Sequence, residues 1–193
     1  MSSIAIIQGH PDSSKPHFCH ALANAYREGA EQGGHQADII AVAELDFPLL
    51  RSREEWKGDL PASLSKPVDI IQQADHLVIF YPLWLGTMPA LLKAFIEQVF
   101  RPGVALDDSK ENEWPKQLLK GKSCRVVVTM GMPGTFYRWY YRAHSLKSLE
   151  RNILKFSGIS PVRETIYGLV EGASDAKRGS WLEEMKQLGH KAR

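Results

Sequence analysis

Three stretches carry most of the side chains able to do chemistry. Residues 9–20, "GHPDSSKPHFCH", bring together His10, Asp12, Ser13, Ser14, Lys15, His17, Cys19 and His20. This stretch opens a helical pattern, and the start of a helix offers unpaired amides and the positive end of the dipole to an anion. A plain cap and turn account for Asp12, Ser13, Ser14 and Pro16 equally well. His10, His17, Cys19 and His20 also invite a metal reading, but their spacing is irregular and a helix would splay them, so metal is set aside. Residues 80–95, "FYPLWLGTMPALLKAF", are the opposite in character. Loops meet water and are normally polar, yet this one carries Leu83, Trp84, Leu85 and Met88. Such a loop walls off a flat aromatic ligand, faces a partner, or covers core. The third stretch, "TMGMPGTFY" at 129–137, combines two glycines and a proline after an apolar run.

The elements that must position these stretches alternate. "IAIIQG" (residues 4–9) predicts a first strand, and Phe18, Leu22, Ala25 and Tyr26 recur on one helical face that Gly33–His35 ends. Residues 37–45 predict strand two, and 46–66 an irregular stretch with prolines at 48 and 61. A short helix over 68–74 leads to strand three, "HLVIFY". Pro89 opens the next helix, and 101–115 reads as a long loop. Residues 123–130 predict strand four, 131–144 a loop, and Leu146, Leu149, Ile153 and Leu154 a helix closing on Gly158. Residues 160–170 predict strand five and 175–189 a closing helix. Strand–helix alternation argues an α/β protein with helices on both faces of a parallel sheet, and the doubly apolar strands three and four fit burial on both sides. Five strands favour the order 2-1-3-4-5, a three-layer flavodoxin-like sandwich spanning residues 1–193 as one domain. In that order the ligand crevice lies between strands one and three, beyond their carboxyl ends. The polar loop and the apolar loop then face each other. An anion on one side and an aromatic ring on the other describe a flavin mononucleotide moiety.

The global numbers exclude other classes. The chain has 193 residues, 24% charged and 44% apolar, with net charge +2. That gives no nucleic-acid signal and no membrane signal. No apolar run reaches the length of a membrane span, so no direct membrane insertion is expected. The start reads as a strand rather than a signal peptide. Two cysteines without a CxxC pair fit a reducing compartment, and the cytoplasm is the expected location. No GxSxG elbow, no GxxxxGK[ST] loop and no GxGxxG after strand one occur. The "QGH" that ends strand one lacks the acidic residues of a phospho-receiver.

"GHP....HFCHAL", "YPLWLGTMPALLK" and "TMGMPGTFY" together resemble the NAD(P)H:quinone oxidoreductase family, which includes DT-diaphorase and the ancillary flavoproteins of bacterial potassium-efflux systems. The resemblance spans residues 3 to 170. Where the family usually reads Ser-Phe-Asn, this chain has His17, Phe18 and Cys19, and where it often has Gly-Gly, Gly131 is followed by Met132. The resemblance implies a two-electron enzyme, passing electrons from NADH or NADPH through bound FMN or FAD to a quinone-like acceptor. It places His10, His17, Phe18 and Cys19 at the flavin phosphate, Pro82, Leu83, Trp84 and Leu85 along the ring, and Thr129, Gly131 and Tyr137 against its other side. It makes Tyr137 a catalytic hydrogen-bond donor supported by His144, and implies a homodimer with the site at the two-fold interface, where "FYRWYYRAH" would lie. Arg138 and Arg142 either meet a nicotinamide 2′-phosphate or form a solvated face. Two alternatives within the same resemblance are a flavin-loaded regulatory subunit of a membrane transporter and a flavodoxin-type electron carrier. Such carriers are strongly acidic, unlike this chain.

Overall fold

A computed structural model describes residues 1–109 and 114–193. Its five parallel strands are β1 (Ser3–Gln8), β2 (Gln36–Ala41), β3 (His76–Pro82), β6 (Ser123–Thr129) and β7 (Val162–Tyr167). They lie in the order β2-β1-β3-β6-β7, which is 2-1-3-4-5 counted along these five. Alternation along each strand divides the core into two layers. Ile4, Ile6, Val78, Phe80 and Val127 point to one face, beneath helices α1 (Phe18–Gln32) and α7 (Asp175–His190). Ala5, Ile7, Leu77, Ile79, Tyr81, Val126 and Val128 point to the other, beneath α3 (Ser65–Gln73), α4 (Ala90–Val99) and α6 (His144–Ser148).

Helices α1 and α7 touch backbone to backbone. A Cβ on Gly29 would sit 1.9 Å from the Lys186 carbonyl oxygen, and one on Gly189 would sit 2.0 Å from that of Tyr26. Glycine is required at both positions because no side chain fits between the helices.

Several boundaries differ from the sequence expectation. Strand two stops at Ala41, and Val42–Glu44 turn into a 3-10 helix whose Val42 is buried. The stretch expected to be irregular holds α2 (Arg53–Lys57), capped by the Ser52 hydroxyl, which accepts from the Glu55 N–H at 3.2 Å. Arg101, itself buried, ties this segment down by donating to the carbonyls of Trp56, Asp59 and Glu55. Buried arginine bonds are not readable from local pattern. The long loop at 101–115 contains β4 (Leu106–Asp107), paired with β5 (Lys116–Gln117), and residues 110–113 of it lie outside the described residues. The loop expected over 131–144 contains α5 (Gly134–Trp139), started at Pro133, and α6 continues as a π-helical turn over Leu149–Leu154. Proline just before a first turn is a helix-start signal that the aromatic composition of this stretch obscured.

Candidate functional site

The first loop is a chain of local hydrogen bonds. Beyond β1, the Gly9 N–H donates to the Phe80 carbonyl at 2.7 Å, keeping the chain against β3. The His10 N–H donates to Gln8 Oε1 at 3.1 Å. His10 Nδ1 accepts the Asp12 N–H at 3.1 Å, so the proton of the neutral ring sits on Nε2. Asp12 Oδ1 accepts from the Ser14 N–H at 2.9 Å and its hydroxyl at 2.6 Å. Asp12 Oδ2 lies 2.8 Å from His17 Nε2, and since a carboxylate only accepts, His17 donates. Ser14 first, then His17, hold the Asp12 carboxyl well below the usual range. At the head of α1, His20 Nδ1 accepts the His17 N–H at 3.2 Å.

These bonds stack His10 on His17 with ring centroids 3.8 Å apart, and set His20 edge-on to both at 5.1 and 5.5 Å. His10 is 6% exposed, and burial, with His17 and His20 beside it, lowers its pKa to about 4. Burial and His17 also lower that of His20. His10 and His20 are therefore mostly neutral near pH 7, and with Nδ1 accepting in each, both keep an Nε2–H donor. The first amides of α1, at Phe18 and Cys19, lie too early in the helix to have intrahelical acceptors.

The second loop is built differently. The Leu83 N–H donates to the Thr129 carbonyl at 2.8 Å, which ties β3's end to that of β6. Trp84 and Thr87 then exchange two backbone bonds of 2.8 and 3.0 Å around a two-residue turn. That turn places Leu85 at φ 46° and Gly86 at φ 80°. Both central residues with positive φ make it a tight hairpin turn of the primed kind, natural for Gly86 and strained for Leu85. Leu85 is fully exposed and Trp84 is 48% exposed, while Met88 is buried. Trp84 meets His10 edge-on at 6.0 Å, so the two loops do face each other.

Between them lies a cleft of about 550 Å³ lined by His10, Asp12, Lys15, His17, Phe18, Cys19, Pro82, Trp84 and Thr129, and closed by Val170, Glu171 and Arg178. Seven residues expected from sequence meet here: His10, His17, Phe18, Cys19, Pro82, Trp84 and Thr129. Others are placed elsewhere. Leu83 packs half-buried on the core. Gly131 is exposed nearby, where an added Cβ would meet only Glu171 Oε1 at 4.0 Å. Leu85 lines a separate groove of about 430 Å³ with Met88, Lys93, Ser145, Leu149 and Ile153. Tyr137 is 1% exposed, its hydroxyl 2.8 Å from Ser145 Oγ and accepting the Leu146 N–H at 3.4 Å, and it does not line the cleft. His144 is exposed at the start of α6 and lines neither cavity. Arg138 pairs with Glu164, and Arg142 breaks the helix at φ 50°; both line a third, basic cavity with Arg151 and Arg163.

The residues that local patterns missed are those brought in by α7. Arg178 Nη2 donates to the Val170 and Glu171 carbonyls at 3.0 Å each, fixing the loop after β7 across the cleft. Its buried Nε–H has no hydrogen-bond partner among the described residues. The only available signal was the rule that strand carboxyl ends build the site, applied to strand five.

This geometry fits a phosphorylated, flat ligand. One end offers imidazole N–H groups, Lys15, helix amides and the partnerless Arg178 Nε–H; the other offers Pro82, Trp84 and open space beside Gly131. Comparison with known proteins agrees with the fold. A protein of Haemophilus influenzae named an uncharacterized NAD(P)H oxidoreductase is 28% identical over 183 residues, 92% of this chain and 89% of that one. An NAD(P)H:quinone oxidoreductase from Methanothermobacter marburgensis superposes with a TM-score of 0.80 at 22% identity, over 98% of this chain and 96% of that one. An FMN-dependent NADH-azoreductase from Bacillus anthracis, solved in complex with FMN, superposes with a TM-score of 0.75 at 17% identity, over 99% of each chain. Residues 2–188 match the model of the flavodoxin-like fold family, and the chain belongs to that family.

Proposed function

We propose that the chain is a flavin-dependent NAD(P)H oxidoreductase that holds FMN in the cleft between the loops after β1 and β3 and passes two electrons to a quinone-like acceptor. The observation that carries this is the meeting of Trp84 and His10 across one cleft at the head of α1. The flavin supplies the redox chemistry when bound. His10, His17, Lys15 and the first amides of α1 hold its phosphate. Pro82 and Trp84 exclude water from one side of the ring, and Thr129 and Gly131 bound the other. The name of the Haemophilus relative and the FMN in the Bacillus structure support this assignment. FAD in place of FMN, and NADH against NADPH, are read out by the test below.

Tyr137 acts by position rather than by touching the ligand: its hydroxyl orients Ser145 and the start of α6. The exposed Phe136, Trp139 and Tyr140, together with Leu85, are covered by a second copy of the chain in a homodimer. Cys19 and Cys124, both free and buried, suit the reducing cytoplasm in which NAD(P)H is available.

The test is purification, a visible spectrum, and mass analysis of the released cofactor, followed by steady-state turnover with NADH or NADPH and a soluble quinone. A protein that retains and takes up neither FMN nor FAD would falsify the reading. A protein that binds flavin but does not turn over belongs to the carrier or regulatory alternatives. Sedimentation as a monomer at micromolar concentration would end the dimer assignment.

A further inference from the structure

Away from the cleft lies a cavity built of charge. Its volume is about 560 Å³, and Arg125, Arg138, Arg142, Lys147, Arg151 and Arg163 line it against only two carboxylates, Glu150 and Glu164. It shares no lining residue with the flavin cleft. We propose that this cavity is a second binding site, for a diphosphate group, either free or carried by a nucleotide.

The positive charge is not evened out from within. The cavity holds a surplus of four cations, whereas the whole chain carries +2. Both carboxylates are already engaged. Glu164 pairs with Arg138, and Glu150 lies 2.6 Å from Lys155 Nζ. Arg125 is buried and donates to the Arg193 backbone oxygen at 2.8 Å and to Thr165 Oγ1 at 2.7 Å. Arg142, Lys147, Arg151 and Arg163 have no hydrogen-bond or ion-pair partner among the described residues. Like charges gathered in one space disfavour one another until an opposite charge joins them.

The backbone beside the cavity is unusual at two points. Arg142 and Ala143 both hold φ 50°, a left-handed conformation that residues with side chains rarely adopt. Such strain gathers at ligand sites. The turn over Leu149–Leu154, which carries Glu150 and Arg151, is π-helical, a form found mostly at functional sites. The left-handed pair turns the chain from α5 into α6. It thereby sets Arg138 before it, and Lys147 and Arg151 after it, around one space.

Count and geometry name the ligand. A phosphate monoester carries about −1.5 to −2 charges at neutral pH. One such group leaves half of the surplus unmet, and two meet it. Guanidinium forks bind phosphoryl oxygens in pairs, and all but one of the cations are arginines. The volume is that of a small-molecule site, and the chain's small net charge gives no extended basic face for a nucleic acid.

The experiment is calorimetric titration of the full chain, with and without saturating FMN, at roughly 0.15 M salt. The ligands are pyrophosphate, orthophosphate, citrate and ADP. One pyrophosphate is expected per chain, bound about tenfold tighter than orthophosphate or citrate. Arg151→Gln and Arg163→Gln should each weaken it by about tenfold or more, the range of a hydrogen bond to a charged group. Arg27→Gln, on α1 across the sheet, should leave it unchanged. Thermal melts without ligand should show each variant as stable as the parent, because only unpaired like charges are removed. A variant that melts well below the parent shows a structural arginine and overturns its place in the site. Absence of pyrophosphate binding at millimolar concentration overturns the site itself. Equal weakening in Arg27→Gln overturns it too, since the effect is then one of overall charge. Citrate binding as tightly as pyrophosphate removes the phosphoryl preference and overturns the ligand class. Binding that FMN competes away belongs to the cleft and overturns a second site. ADP binding tighter than pyrophosphate, and lost in the same variants, makes a nucleotide the source. ADP binding no tighter makes it the free diphosphate, and either result upholds the site. A chain that binds no FMN fails the flavin reading alone, and the pyrophosphate titrations stand.

Discussion

The two loops that face each other across the cleft are finished to different degrees. In residues 9–20 the polar groups have found one another: Asp12 is bound by Ser14 and His17, and His10 and His20 each accept a backbone N–H. In residues 82–88 the backbone is closed but the side chains are not, with Trp84 half-exposed and Leu85 fully so on a strained φ. The chain shapes the anionic end of its site by itself. The contrast follows from physics: a polar loop can satisfy itself with local hydrogen bonds, whereas apolar surface is satisfied only by more surface.

The largest effect that would sharpen this contrast is on the polar side. His17→Ala should weaken FMN by about tenfold to a hundredfold, the range of a hydrogen bond to a charged group. Riboflavin should change by less than about twofold. Equal losses for both ligands would show that His17 shapes the cleft rather than holding the phosphate.

Tyr137→Phe comes next. The hydroxyl lies in the core and is bonded to Ser145 and Leu146, so its removal should lower stability in denaturant melts by about 1–2 kcal/mol. Stopped-flow flavin reduction by NADH should stay within about twofold of the parent. A tenfold slower reduction with unchanged stability would place Tyr137 on the reacting side after all.

Trp84→Ala probes the apolar loop itself. A fully buried tryptophan lost to alanine costs about 3–5 kcal/mol. Trp84 is 48% exposed, so about half of that is expected, with a flavin affinity or turnover change of about fivefold. A full core-sized loss of stability with unaltered flavin chemistry would make Trp84 ordinary core and dissolve the contrast.

The smallest effect is at the turn. Leu85→Gly removes a side chain from a left-handed backbone and should raise monomer stability by up to about 1 kcal/mol. If a second copy covers Leu85, the same change weakens self-association in sedimentation. Unchanged association would mean that Leu85 lies outside the interface.

Much of this was legible in the sequence because it is local. Runs such as Leu77–Tyr81 and Val126–Val128 announce doubly buried strands, while the 2-1-3-4-5 order was a preference of the fold class that spacing does not fix, and it is the order found. The rule about strand ends set the loops after the first, third and fourth strands facing one cleft, and the family resemblance picked out His10, His17, Pro82, Trp84 and Thr129 within them; these five do line one cleft. What stayed hidden depends on long-range contacts. Arg178 reaches the cleft because α7 packs on α1, and Arg101 orders the 53–59 segment through carbonyls some forty residues away. The placement of Tyr137 turned on where α5 begins. The family resemblance placed its hydroxyl beside the ligand; in a helix started at Pro133, the side chain turns inward.

The contact of α1 with α7 through Gly29 and Gly189 also bears on the order of events during synthesis. β1 and α1 are made early, and with them the histidine cradle. Arg178 and the loop it fixes are made late, and they reach the cleft only once two glycine faces meet without a side chain between them. A nascent chain thus carries half a cradle for most of its production. On the proposed flavin reading, loading is an event of the completed fold rather than of the growing chain. A substitution at Gly29, far from any ligand, would be felt first as slow or incomplete loading.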